Sequence, residues 1–299
     1  MPSEIVNVDD EYAKFPEMKK EDVLKLVEWV RQQPHLPNLC EAYVILFYHA
    51  CYYSSEQTKK TIDIHYTTRT HCPEFFANCD PLSVELEKVM RTVTIIPLDK
   101  ATPEGYRIIL AKVADVDPSN FNFGETMKLY TMVFDLWLYR EGIASGHLMV
   151  MDMTGCSLGH VARLGLMTMK KFLYFLQEAA AIRLMGLHYI NIVPFMDKVL
   201  ALMTPFMKKE LKSMLHVHSD IETFYKFVPQ KIMPAEYGGG EEDSSKLREI
   251  TYQRVKDHRD KFIELEKLFL VNEKLRPGKP KSASAIFGVE GNFKKLDFD

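Results

Sequence analysis

Three short apolar runs separated by two long helical stretches constrain this chain more than any other feature of its sequence. Tyr106-Arg107-Ile108-Ile109-Leu110-Ala111-Lys112-Val113 follows Gly105 and precedes the turn-rich Asp115-Val116-Asp117-Pro118-Ser119-Asn120, as a strand does. A helix over about 125–144 comes next, with Leu129, Met132, Val133, Phe134, Leu136, Trp137 and Leu138 spread around nearly its whole circumference. Such a helix is covered on more than one side. Residues 147–153 read as a second strand, 161–183 as a long apolar helix and 187–192 as a third strand. Beyond Pro194 the pattern gives a short amphipathic helix at 195–203, another at 208–214 and a last short strand at 215–218. Strand and helix alternate, which predicts an α/β domain over 85–240.

The flanks read differently. Residues 1–80 are an amino-terminal helical module: Val23, Leu24, Leu26, Val27 and Val30 keep a helical period, Pro34 and Pro37 break it, and further helices run from Leu39 and from Ser55. Residues 241–299 carry one charged helix, 246–275, and then Arg276-Pro277-Gly278-Lys279-Pro280-Lys281, expected as a surface tail.

Composition narrows the function. A formal charge of -3, from 38 basic and 41 acidic residues, gives no global attraction to nucleic acid. Five cysteines, Cys40, Cys51, Cys72, Cys79 and Cys156, form no C-x-x-C pair and leave one unpaired, which favours a reducing, cytoplasmic setting. The acidic amino terminus lacks the order of a signal peptide, and no apolar stretch is long enough to span a membrane. Of the 16 methionines, 12 fall between Met127 and Met214, where an adaptable apolar surface would need them. Between His160 and Leu215, eight basic residues face three acidic ones, a local basic excess in an acidic chain.

Several groups invite a chemical reading. Gly155-Cys156-Ser157-Leu158-Gly159 is a formal G-x-S-x-G between strand and helix, the setting of a hydrolase nucleophile, which makes a Ser157 esterase the alternative function. Against it, the only glycine cluster, Gly238-Gly239-Gly240, lies after the serine instead of before it, and the downstream partners Asp197 or Asp220 with His216 or His218 are closely spaced. His65, His71, Cys72 and Cys79 lack the paired spacing of structural zinc, so no metal and no cofactor are expected. His216 and His218 alternate on a strand and share one face. Phe195, Met196, Val199, Leu202, Met203 and Phe206 make one side of an amphipathic helix that, beside a basic surface, suits anionic lipid headgroups.

Taken in order, Gly105-x-Arg107, Asp115-x-Asp117-Pro118, Asp152-x-x-Gly155, Gly186-Leu187-His188-x-Ile190-Asn191, Pro205-Phe206 and Pro234-x-Glu236-Tyr237-Gly238-Gly239 resemble the CRAL-TRIO lipid-binding family, in its branch of tocopherol and retinaldehyde carriers. The helical block at 20–75 is similar to that family's amino-terminal module, and the ending from Leu275 to Gly291 to its insect members. The resemblance implies an α/β fold with a sheet floor, helices walling a hydrophobic cavity, one enclosed lipid and a mobile helical gate. It implies no enzyme activity, and it makes Ser157 part of a turn. By position the cavity walls would be Leu129, Val133, Leu136, His147, Phe172, Phe175, Leu176, Ile182 and Leu187, and the gate would be Phe195, Met196, Val199, Leu202, Met203 and Phe206.

Tocopherol-binding members carry two serines where this chain has Leu129 and Val133, so the implied wall is drier. Of the basic cluster that binds phosphoinositide in relatives, only Arg183 is matched. Met185, Glu210 and Met214 hold the other positions, and Lys208, Lys209 and Lys212 stand on neighbouring turns as phosphate or membrane contacts. The expectation is a cytoplasmic carrier of one hydrophobic small molecule, of the retinoid, tocopherol, sterol or phospholipid class, with transient contact to anionic membranes. A scaffold whose interior is filled by its own side chains is the remaining alternative. The sequence names neither the lipid nor the oligomeric state.

Overall fold

The computed structural model describes residues 6–288. Helix α1 (Val8–Lys14) precedes α2 (Lys20–Arg31), α3 (Glu41–Ala50) and α4 (Ser55–His71), the three helices expected of the first module. Ser54 caps α4 by accepting a hydrogen bond from the Gln57 amide. Helices α5 (Pro73–Phe76) and α6 (Val84–Thr92) then lead without a turn into β1 (Val93–Pro97), a strand with no sequence signal of its own. Beyond it come β2 (Tyr106–Val113), α7 (Phe123–Glu141), β3 (Gly146–Asp152), α8 (Leu158–Val161), α9 (Leu166–Tyr174), β4 (Leu184–Ile190), α10 (Met196–Met203), α11 (Lys209–Ser213) and β5 (Leu215–Val217). The long helix expected over 161–183 does not form. Gly165 sits at φ 61° between α8 and α9, and after α9 a π turn, Phe175–Ala179, delivers the chain to extended Ala180.

The strands lie in the order β1-β2-β3-β4-β5, with β1 antiparallel to β2 and all other pairs parallel. Parallel crossovers are right-handed almost without exception, so a sequential order carries α7, α8 with α9, and α10 with α11 to the same face. The core is split accordingly. Ile109, Met149, Leu187 and Tyr189 join the helices and the amino-terminal module in one cluster, whereas Ile108, Leu110, Leu148, Val150 and Ile190 meet Phe224, Val228, Ile232, Met233 and Tyr237 in another. Strands buried on both faces show no apolar–polar alternation, which is why they read as continuous runs.

The carboxy-terminal segment corrects the expectation of one charged helix and a surface tail. After α12 (Ile221–Phe224), helices α13 (Ser244–Asp257) and α14 (Arg259–Leu268) meet at His258, and α15 (Ala283–Phe287) closes the described chain. Tyr252, Val255, Phe262, Leu265, Phe269, Val271 and Phe287 are buried in the main cluster. Their spacing was hidden among charges, which cover only the outer face of these helices. The segment is tied down along its length: the Val271 amide donates to Thr70 Oγ1 (2.9 Å) and the Asn272 amide to the His35 carbonyl (2.9 Å). Asp63 accepts from Arg276 (2.6 Å) and Lys281 (2.5 Å) and lies 3.0 Å from His35 Nε2.

Burial pushes the Asp63 pKa up, but the bonds from Lys281, Arg276 and His35 outweigh it and hold the carboxyl at about 2. A folded-state pKa below the unfolded value of about 3.9 means stability present above about pH 4 and lost as pH falls through about 2. Asp63→Asn is expected to cost about 1–2 kcal/mol near neutral pH, with the difference from wild type closing at about pH 2. Denaturant melts across that range test it. A difference that persists at the acid end would show that ionisation of Asp63 is not what holds the strap.

Candidate ligand cavity

Between the sheet and the helices lies a cavity of about 150 Å³. Its floor is made by alternate residues of four strands: Val93 and Ile95, Ile109 and Ala111, Met149 and Met151, then Leu187 and Tyr189. Helix α7 contributes Thr126, Met127 and Tyr130, α9 contributes Met169, Phe172 and Leu173, the π turn Leu176, and α10 Val199 and Met203. Six methionines, Met127, Met149, Met151, Met153, Met169 and Met203, line it. Unbranched thioethers change rotamer cheaply, so this wall yields where a wall of branched residues would not.

The ionisable groups at the cavity are all committed or neutral. Lys112 pairs with Glu236 at 2.9 Å. Burial, together with the nearby Asp152, pushes the Cys156 thiol up to about 11. Burial lowers the His160 pKa, as does Arg163 more weakly, against opposing pulls from the Asp115 backbone and the Asp115 and Asp117 carboxylates. Burial raises Tyr130 and Tyr189 well above the ordinary phenol value. The Tyr189 hydroxyl donates to Met203 Sδ at 3.1 Å, and the Tyr130 hydroxyl has no hydrogen-bond partner.

Of the wall residues named from sequence, Phe172, Leu176 and Leu187 line this cavity. Leu129, Val133, Leu136, His147, Phe175 and Ile182 are buried outside the lining. Val133 and Leu136 border a smaller cavity of about 60 Å³ with Trp137 and Arg107, and His147 lies edge-on to Trp137. Helix α7 is apolar all round, so its sequence does not say which face meets the cavity. The strand methionines carried a usable signal that went unread: Met149, Met151 and Met153 recur at period two and so share one face.

Among the residues named for the gate, Val199 and Met203 line the cavity, Met196 is buried, and Phe195 and Phe206 are half-buried. Leu202 borders an outer groove of about 290 Å³ with Lys198, and Val161, Leu164 and Met169 line both groove and cavity. Lys208, Lys209 and Lys212 are exposed, Lys208 paired with Glu178. Arg183 is spent elsewhere: its Nε donates to the His49 carbonyl at 2.8 Å, and its guanidinium lies 4.3 Å over the Tyr52 ring.

The motif pieces converge on one buried carboxylate. Asp152, at the end of β3, accepts from the Thr154 amide and hydroxyl (2.9 and 2.7 Å), from Asn191 Nδ2 (3.0 Å) and from the Tyr237 hydroxyl (2.5 Å). Asn191 takes φ 48°, which asparagine tolerates, and Gly239 is required because a Cβ there would overlap the Met233 carbonyl. These residues hold strand ends together.

Ser157 lies 2.9 Å from His160 Nδ1, but the same nitrogen accepts the Ser157 backbone amide (3.1 Å), which is a helix-capping arrangement. No carboxylate bonds to the other ring nitrogen, as a triad demands. His216 and His218 are on the opposite face of the sheet, stacked with His188, whose Nδ1 is 3.0 Å from His218 Nε2. Their parallel rings do not converge on a point, and among the described residues no group of three side chains could hold a metal ion.

Sheet, one-sided helices and a methionine-rich cavity together define a lipid-binding α/β class with a helical module in front. The CRAL/TRIO domain matches residues 91–239, and a Pinta-like UBA domain matches 15–86. The chain belongs to the CRAL-TRIO family of lipid-binding and lipid-transfer proteins. It is similar to alpha-tocopherol transfer protein-like from Mus musculus, 24% identical over 87% of this chain and 77% of the relative, and to the Homo sapiens protein of the same name, 25% identical over 81% and 72%. Clavesin-1 from Xenopus laevis is 16% identical over 77% of this chain and 70% of its own. The crystal structure of Sfh5 superposes on 80% of this chain and 90% of its own with a TM-score of 0.43 and 11% identity.

Proposed function

We propose that this chain is a non-enzymatic carrier that encloses one hydrophobic small molecule in the cavity beneath α10 and exchanges it at membranes when α10 moves. The observation that carries the reading is the methionine lining on a single face of the sheet, with every charge at its edge already paired. A cavity of about 150 Å³ is smaller than the ~300 Å³ at which ligand pockets begin, so uptake requires those walls to spread. A buried hydrocarbon gains about 0.8 kcal/mol per CH2, enough to drive that spreading.

The exposed Lys208, Lys209 and Lys212 beside the apolar edge of α10 suit an anionic membrane surface. Specific phosphoinositide recognition is not part of the proposal, because Arg183 is bound to His49 and Tyr52 and Met185, Glu210 and Met214 replace its cationic companions. No helix among the described residues is long and apolar enough to cross a membrane, which fits transient contact from the cytoplasm.

Native mass spectrometry after incubation with mixed-lipid vesicles tests the carrier reading. One lipid adduct per chain is expected, released by organic extraction. A clean chain mass after exposure to retinoid, tocopherol, sterol and phospholipid vesicles would favour the filled scaffold.

A further inference from the structure

Resting on that reading, the cavity also says something about the polar end of its cargo. The charged groups at the wall offer no counter-ion: Lys112 is held by Glu236, and Asp152 is saturated by Thr154, Asn191 and Tyr237. A carboxylate or phosphate drawn inside would be an unpaired buried charge, which is strongly disfavoured. The neutral polar groups are not balanced either. Thr126 spends its hydroxyl proton on the Asn122 carbonyl at 2.7 Å, and Tyr189 gives its own to a thioether, a weak acceptor.

Tyr130 stands apart from both. It lines the cavity from α7, between the rings of Phe134, stacked at 6.0 Å, and Phe172, edge-on at 5.8 Å. Its hydroxyl is buried and has no partner, and burial alone keeps it protonated. Buried hydroxyls are rarely left unmatched, and each one calls for an explanation.

We infer that the cargo is an uncharged lipid whose polar end is an oxygen acceptor, a carbonyl or hydroxyl, taken by the Tyr130 hydroxyl. Charged amphiphiles are then excluded from the cavity for want of a counter-ion, and pure hydrocarbons are disfavoured because they leave Tyr130 unmatched.

The test measures protein-bound probe after separation from phosphatidylcholine vesicles, using two shape-matched sets. One is heptadecanone, heptadecane and heptadecanoate; the other is cholestanone, cholestane and cholesterol sulfate. In at least one set the ketone should bind about tenfold more strongly than the alkane, relative to its partition into vesicles, with the anion weakest. Tyr130→Phe removes only the oxygen and should collapse the ketone-to-alkane ratio toward unity while alkane uptake stays unchanged, which also reports that the variant is folded. Equal uptake of ketone and alkane by wild type, a ratio untouched by Tyr130→Phe, or preferred uptake of the anion would each overturn this inference and leave the carrier reading standing. Uptake of no probe in either set would overturn the carrier reading itself.

Discussion

Asp152→Ala is expected to cost about 3–5 kcal/mol of folding stability, the largest effect of any single substitution outside the hydrophobic core. The carboxylate is 4% exposed and receives four hydrogen bonds from three residues, Thr154, Asn191 and Tyr237. Truncation leaves those donors facing one another across a dry gap, and each orphaned donor costs about 1–3 kcal/mol before relaxation. The loss is more than local. Thr154 follows β3, Asn191 follows β4, and Tyr237 belongs to the segment covering the second core, so the three attachments to Asp152 fasten separate parts of the sheet. Equilibrium urea unfolding measures the change. A loss below about 1 kcal/mol would mean that water replaces the carboxylate and that the cluster contributes little.

Val199→Asp should reduce vesicle-to-vesicle lipid transfer at least tenfold. Val199 is 4% exposed and lines the cavity from α10, so the substitution puts an unpaired carboxylate against the enclosed molecule. The relief available to it is to turn α10 outward, which opens the cavity and abolishes retention. The fold itself should survive, since the sheet and the second core do not include this residue. Circular dichroism and a thermal melt establish that the variant is folded, and a fluorescent-lipid transfer assay reads the effect. Undiminished transfer by a folded variant would remove α10 from the route of the ligand.

How much of this was legible in the sequence depended on which physical signal each part carries. The three central strands and the helices of the first module were readable because burial on both faces produces unbroken apolar runs, and proline marks the breaks between helices. The strand β1 was not, being five residues attached directly to a helix. The kink at Gly165 was concealed by the apolar character of the residues on both sides, for composition does not record a positive φ. Within the cavity, Phe172, Leu176 and Leu187 were reachable from the family resemblance, but Thr126, Met127 and Tyr130 lie on a helix whose every face is buried, and only three-dimensional packing selects among them. The carboxy-terminal strap misled for the opposite reason. Its outer charges are many, and the apolar stripe beneath them is revealed only by what it covers.

The division of the interior by the sheet gives the molecule two materials. On one side six methionines border a void, whereas the second core holds a single methionine, Met233, among branched and aromatic side chains, and lies on the far side of the strands. Compressibility should therefore be lopsided. Hydrostatic pressure, or the arrival of a guest of different girth, would be absorbed by helices sliding over the soft layer, while the stiff layer keeps the strands in register. A carrier made this way can vary the volume it offers without distorting the surface that its strap and first module are fastened to.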